Sequence, residues 1–442
     1  MKTNRQAFPR IFSFVPLIVI LLFFSSVSGE ASLAPSVVSE ANVHLMGEQK
    51  VSIDRQPSCH RYRPQVAYNN DHNEYLVVWH NTWDNGDRYV YARRLDINGN
   101  PIGDPFPIHN LLNVKQVHPN VVYNGTSEVY LVVWMRDVTV SGGSTRYEIW
   151  GTILDWDASS IGTPFIIGDW SAPNSLWYPS VAWNSVHNEY LVIWDTHLEG
   201  SSANSPQNIG YRKVDADTSL GASGTITIHG EPTESDLAFN LARDEYMVVW
   251  ARLTNHELEP PGIYGARLDH DANIVGADFD IFTSSYIEGR NPAIATNEQN
   301  RYYVAYQWLG TMTNGNIQLL DVFGDPVNSR ELWAAFNDRD QPPDVAVSGM
   351  NSWTVAYSGR RASDEMNWIA GSLFYDLSNP NTDLINYTIF SADWNRRNVA
   401  VAGGNNGYLL VYENRSTELN SRQHIYATKI WQSGIFLPVI LK

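Results

Sequence analysis

The stretch Asn73-Glu-Tyr-Leu-Val-Val-Trp79 is apolar at five consecutive positions, Tyr75 to Trp79. A strand with one wet face alternates polar and apolar residues. A strand that is apolar throughout has both faces covered. The chain writes this strand again as Glu128-Val-Tyr-Leu-Val-Val-Trp134, Asn188-Glu-Tyr-Leu-Val-Ile-Trp194 and Asp244-Glu-Tyr-Met-Val-Val-Trp250. Looser copies are Tyr302-Tyr-Val-Ala-Tyr306, Trp353-Thr-Val-Ala-Tyr357 and Tyr408-Leu-Leu-Val-Tyr412.

The neighbourhood repeats as well. Ahead of each copy stands a shorter apolar segment, as in Pro64-Gln-Val-Ala-Tyr-Asn69, Pro119-Asn-Val-Val-Tyr-Asn124 and Pro179-Ser-Val-Ala-Trp-Asn184. Degraded versions start at Ser235, Pro292, Pro343 and Asn398, so the seven starts are spaced 51 to 60 residues apart. A third strand follows, as in Val90-Tyr-Ala-Arg-Arg-Leu-Asp96, with weaker forms near Ile317, Trp368 and Ile425. A turn and a fourth strand close the unit, as in Ile102-Gly-Asp-Pro-Phe-Pro-Ile108.

Units of four short strands whose middle strands are buried on both faces predict sheets stacked radially around an axis, a β-propeller. No copy has the 3.6-residue period of a helical solenoid. A tandem of β-sandwiches calls for alternating strands and about seven of them per domain. The seventh unit stops after its third strand, and Met46-Gly-Glu-Gln-Lys-Val-Ser-Ile53 matches the pattern of the missing fourth. The expected fold is therefore all-β: a seven-bladed β-propeller over 43–434, its ring closed by an N-terminal strand that completes the last blade. Closure hides two sheet edges that would otherwise be open.

The VAYN…EYLVVW…ARRLD unit resembles the repeats of secreted bacterial β-propeller proteins, most of them without assigned activity. The resemblance covers about 64 to 431. It implies architecture and says nothing of chemistry. The Trp-Asp dipeptides of WD40 blades and the paired glycines of kelch blades do not recur from unit to unit, and the S-x-D-x-G-x-T-W box of sialidases is missing.

Lys2, Arg5 and Arg10 precede an apolar run, Phe14 to Phe24, and a small weakly polar stretch, Ser25 to Gly29. This is the layout of a secretory signal over 1–29, with an apolar core too short for a comfortable membrane span. Residues 30–42 read as a leader, and no other stretch is suited to crossing a membrane. An extracellular protein is expected, in the medium or on the cell surface. Three N-x-S/T sequons begin at Asn124, Asn386 and Asn414. The single cysteine, Cys59, permits no internal disulfide and reads as a small buried side chain. The apolar tail Ile435-Phe-Leu-Pro-Val-Ile-Leu-Lys442 is read either as a surface-sorting tag or as a segment packed on the propeller.

The formal charge of −17 becomes −20 once the three leader cations are removed. An acidic surface repels nucleic acid and anionic lipid, so neither is an expected partner. A monomer is expected. No G-x-S-x-G, H-E-x-x-H or phosphate-binding glycine loop occurs, so no catalytic signature supports an enzyme. The turns Asp96-Ile-Asn-Gly-Asn100 and Asp269-His-Asp-Ala-Asn273 have a spacing that can place oxygens around calcium. The twelfth-position glutamate of a calcium loop is missing, and the same residues are strong turn formers. No cofactor is expected ahead of that calcium possibility, and no other metal.

Loops that leave the second strands and loops that enter the first strands open on one face around the axis. The first group carries His80, Arg136, Asp137, Asp195, Arg252, Gln307, Arg361 and Glu413. The second carries Arg61, Tyr62, His118, Trp177, Tyr178, Arg290, Arg396 and Arg397. Aromatic faces and guanidinium groups suit sugars, uronates or peptide carboxylates. The candidate ligand-binding residues are His80, Asp137, Trp177, Tyr178, Asp195, Arg252, Arg290, Arg361, Arg396 and Glu413. The expected function is a non-catalytic binding or scaffold module for a carbohydrate or protein. The alternative is a carbohydrate-active hydrolase or lyase, with Asp137, Asp195 and Glu413 as acid or base and Arg252 and Arg361 stabilising charge.

Overall fold

The computed structural model describes residues 43–45, 48–52, 59–109, 114–139, 145–169, 174–198, 206–226, 232–252, 260–284, 288–309, 313–336, 342–348, 352–360, 367–374, 384–389, 394–416 and 422–432. The leader, the apolar tail and Arg361 lie outside the described residues.

Seven antiparallel sheets follow one another around the ring. Blade 1 is built from Cys59–Asn69, Glu74–Trp83, Arg88–Asp96 and Pro101–Pro107. Blades 2 to 6 span 116–168, 174–226, 232–283, 288–336 and 344–389. Blade 7 has Trp394–Gly404, Gly407–Ser416 and Gln423–Gln432, and its outer strand is the N-terminal segment. There Val43 pairs with Gln432 and Gln49 with Ala427. No helix occurs among the described residues, so none is long and apolar enough to cross a membrane.

The repeated second strand does what its composition requires. Leu76 and Val78 pack toward blade 2, whereas Tyr75, Val77 and Trp79 pack toward blade 7. Each of seven apolar clusters fills one gap between neighbouring blades. The cluster between blades 7 and 1 takes Val51 from the closing segment. Closure also has a polar lock. The Glu48 carboxylate accepts from Arg396 Nε and Nη2, each at 2.9 Å, and from the Tyr412 hydroxyl.

The Asn that ends the first strand of blades 1 to 4 has a local cause. Its side-chain oxygen accepts backbone N–H groups two and three residues on, as Asn69 does from Asp71 and His72, and Asn184 from Val186 and His187. This Asx turn brings the chain round into the second strand. It also buries Asn124, whose amide nitrogen meets Asn188 and the Tyr190 hydroxyl. Asn124 and Asn414 are both buried, so two of the three sequons present no accessible amide in the folded protein.

The first strands differ from expectation in one respect that positions the site. Blade 6 aside, they begin upstream of the position of the repeated proline and carry a bulge around it. The register shifts between Tyr62 and Gln65, Val117 and Asn120, Trp177 and Ser180, Thr233 and Asp236, Arg290 and Ala293, and Arg397 and Ala400. Inside each bulge one residue is left-handed: Arg63, His118, Tyr178, Glu234, Asn291 and Asn398, with φ between 48° and 56°. A bulge turns a strand and re-aims its side chains.

Candidate functional site

The six left-handed residues, Asn398 aside, line a cavity of about 220 Å³ on the axis, at the end of the ring where the first strands begin. Non-glycine residues hold this backbone only where the surroundings over-determine it. Here the neighbouring blade supplies the restraint. The N–H of Arg63 donates to Glu413 at 2.7 Å, that of Glu234 to Asp195 at 2.6 Å, and that of Asn291 to Glu234 at 2.7 Å. The N–H of Tyr178 meets the Met135 sulfur at 3.3 Å.

Two residues further along, Gln65, Asn120, Ser180, Asp236 and Asp344 form a deeper tier of the same cavity. Asp236 accepts from the Ser180 hydroxyl at 2.6 Å and from Ile294 N–H at 3.0 Å. Asp344 accepts from Val345 N–H and, across the blade gap, from Val401 N–H at 2.8 Å. Burial raises both carboxyls, and the neighbouring Asp236 adds to the rise at Asp344, which reaches about 7.

The opposite wall is cationic and aromatic. His118 stands edge-on to Tyr178 at 4.9 Å and 6.1 Å from His80, which stacks on Tyr62 at 5.6 Å. Trp177 continues this belt against Tyr147 at 4.9 Å and His197 at 5.4 Å. Burial first, then Arg63, holds the His118 imidazole well below its usual range, so it is neutral. The same burial, with Arg88 and Arg63 adding to it, takes His80 down to about 3. Arg63 thus lies among neutral rings on one side of the cavity, and Glu234, Asp236 and Asp344 lie on the other. An anionic group has a guanidinium and an aromatic wall to meet, and sugar hydroxyls have carboxylates and amides.

The structure places the sequence candidates unevenly. Tyr178 lines the cavity, and His80 and Trp177 belong to the belt beside it. Asp195 is buried and accepts from Glu234 N–H and Ser235; burial raises it to about 7 despite those donors. Glu413 is buried under Arg63 N–H, Arg397, Asn398 and Gln423, and burial raises it too. Both tie one blade to the next. Arg396 is buried on Glu48 and belongs to the ring closure. Arg290 faces Glu288 at 3.3 Å and Glu234 at 3.8 Å, Asp137 accepts Lys115 N–H, and Arg252 is buried in blade 4. The turn carboxylates of Asp96 and Asp269 accept backbone N–H groups of Asn98, Asn100, Asp271 and Asn273, which is their turn role.

Sequence reasoning passed over Arg63, Asp236 and Asp344. The signal was present as the residues before and after the repeated proline, or the serine that replaces it at 235, polar or charged beside constant apolar neighbours: Arg63 and Gln65, His118 and Asn120, Tyr178 and Ser180, Glu234 and Asp236.

No known protein family matches the sequence, and no curated protein matches it. Solved structures do share its shape. A protein of unknown function from Dyadobacter fermentans is similar at 9% identity and a TM-score of 0.55, over 89% of this chain and 100% of that one. The polysaccharide lyase Uly1 is similar at 10% identity and 0.51, over 90% and 95%. A Trypanosoma rangeli sialidase is similar at 9% and 0.48, over 87% and 60%. The chain is a seven-bladed β-propeller, and at these identities the first two likenesses show the fold alone.

Proposed function

We propose that this protein binds an anionic sugar unit of a polysaccharide in the axial cavity. The observation that carries the reading is the division of that cavity. Arg63, neutral His118 and Tyr178 form one wall, and Glu234, Asp236 and Asp344 form the other. A guanidinium takes a carboxylate or sulfate with directed hydrogen bonds, and flanking aromatic rings suit the apolar face of a sugar. The volume is below the roughly 300–1,000 Å³ of sites that bury drug-sized ligands, which favours one ring or a chain end over a long segment. The expected export of the chain fits such a ligand, which is met outside the cell.

The test is calorimetric titration with a uronate-terminated oligosaccharide and with the same sugar carboxyl-reduced to an alcohol. Binding of the acid form alone, lost in Arg63→Ala, supports the reading. Equal binding of both forms, or binding that survives Arg63→Ala, sinks it.

A second reading, turnover of that polysaccharide, has one observation in its favour. Asp344 faces the cavity with a carboxyl held near 7, able to give or take a proton at neutral pH. The polysaccharide lyase above shares the ring, so the fold is compatible with such chemistry. New reducing ends made by the wild type and missing with Asp344→Asn would support it. No product from any acidic polysaccharide that binds leaves the protein a binder.

A further inference from the structure

At the opposite end of the ring, His187, Asp244 and His270 meet between blades 3 and 4. We propose that they form a zinc-type transition-metal site clasping these two blades. One donor atom from each side chain lies within 4.8 Å of the others. His187 Nε2 is 2.8 Å from Asp244 Oδ2, and His270 Nδ1 is 3.9 Å from the same oxygen. Tetrahedral bonds of about 2.0–2.1 Å put donors roughly 3.3 Å apart, between those two separations. The imidazoles stack at 4.6 Å with 24° between their planes, so His270 must pivot for the lone pairs to converge. It stands on a half-exposed turn with room to do so.

Two further features separate this cluster from a chance meeting. The His270 nitrogen that faces away from Asp244, Nε2, is 3.3 Å from Asp271, whose carboxylate is held by Lys213 at 3.1 Å. Metal-binding histidines commonly donate their second nitrogen to a carboxylate in this way, which fixes the tautomer and the ring. The second oxygen of Asp244 accepts from the Asn184 amide at 3.3 Å, which orients the carboxylate.

The repeat supplies an internal comparison. The equivalent positions between blades 1 and 2 are His72, Glu128 and Trp156. There His72 Nε2 pairs with Glu128 at 2.9 Å, and Trp156 stacks on the imidazole at 3.7 Å. That arrangement is a clasp with no third donor. In blade 4 a histidine replaces the tryptophan, and its nitrogen faces the shared carboxylate. Two imidazoles and one carboxylate suit zinc, copper or nickel and disfavour calcium and magnesium; water completes the shell at this exposed edge.

Metal-stripped full-length protein should be titrated with Zn²⁺ by calorimetry and with Co²⁺ by visible absorption. One ion per chain is expected, with Tm rising by about 3 °C at a hundredfold excess over Kd. His270→Trp copies the clasp of blades 1 and 2, so the fold should tolerate it, and affinity should fall at least about tenfold. Asp244→Asn is a second variant that should fall likewise, and His72→Ala should bind as the wild type does. No saturable uptake, or equal uptake by wild type and His270→Trp, overturns the proposal.

Discussion

Replacing Glu48 by Gln should loosen the ring at its seam. Glu48 takes a two-pronged bond from Arg396 and a third bond from Tyr412. Arg396 is only 2% exposed, and the Glu48 side chain is 28% exposed. Glutamine keeps one oxygen but turns an amide N–H₂ toward a buried guanidinium. Removing one partner of a buried pair costs about 3–5 kcal/mol. Water reaching the Glu48 side of the pair reduces that to roughly 2–3 kcal/mol. Scaled to the about 390 residues expected in the propeller, the unfolding entropy is roughly 0.8 kcal/mol/K, so Tm should fall by about 2–4 °C. Thermal unfolding followed by circular dichroism reads this directly. The control is Arg396→Met, alone and combined with Glu48→Gln. If the two side chains act as one lock, the double variant loses less than the sum of the singles, by about 1–3 kcal/mol. Additive losses, or an unchanged Tm in Glu48→Gln, would refute the claim that this pair closes the ring. Deleting residues 43–53 should lower Tm further still, because Val51 and the outer-strand pairing go with the pair.

Other expectations follow from burial. Asp195 and Asp344 have folded pKa values near 7 against an ordinary 3.8, so the folded state keeps protons that the unfolded chain has lost. Their contribution is full below pH 3.8 and disappears as pH rises to about 7. Asp195→Asn should therefore flatten the fall in stability over that window, by at most about 4 kcal/mol, and a parallel pH profile would count against it. Trp250 is fully buried between blades 3 and 4, so Trp250→Ala should cost about 3–5 kcal/mol, measured by denaturant titration. Burial pushes the Cys59 thiol up to about 11, so a thiol reagent at pH 8 should label it only after denaturation.

The sequence by itself determined the number of blades, their order and the seam. A strand such as Tyr75 to Trp79 has nowhere to put five apolar side chains except between two neighbours, so the count of such strands is the count of blades. Closure was legible for the same reason: the last unit lacked a strand, and the N-terminus carried one to spare. What lines the axis was decided only by the tertiary structure. Charged residues at the upper loops were legible as a group, but their directions were not. Arg61 turns inward to the carbonyl of Cys59, whereas Arg63, two residues on, lines the cavity. The difference is the bulge, which shifts the register by a residue and so changes which side chains face the axis. Asp195, Glu413 and Arg396 read as free charges along the chain. In the ring Asp195 and Glu413 meet N–H groups of the next blade, and Arg396 meets the Glu48 carboxylate of the closing segment; the partners of Glu413 and Arg396 are distant in sequence, that of Asp195 one blade away. Arg63, His118, Tyr178, Asp236 and Asp344 line the axial cavity instead.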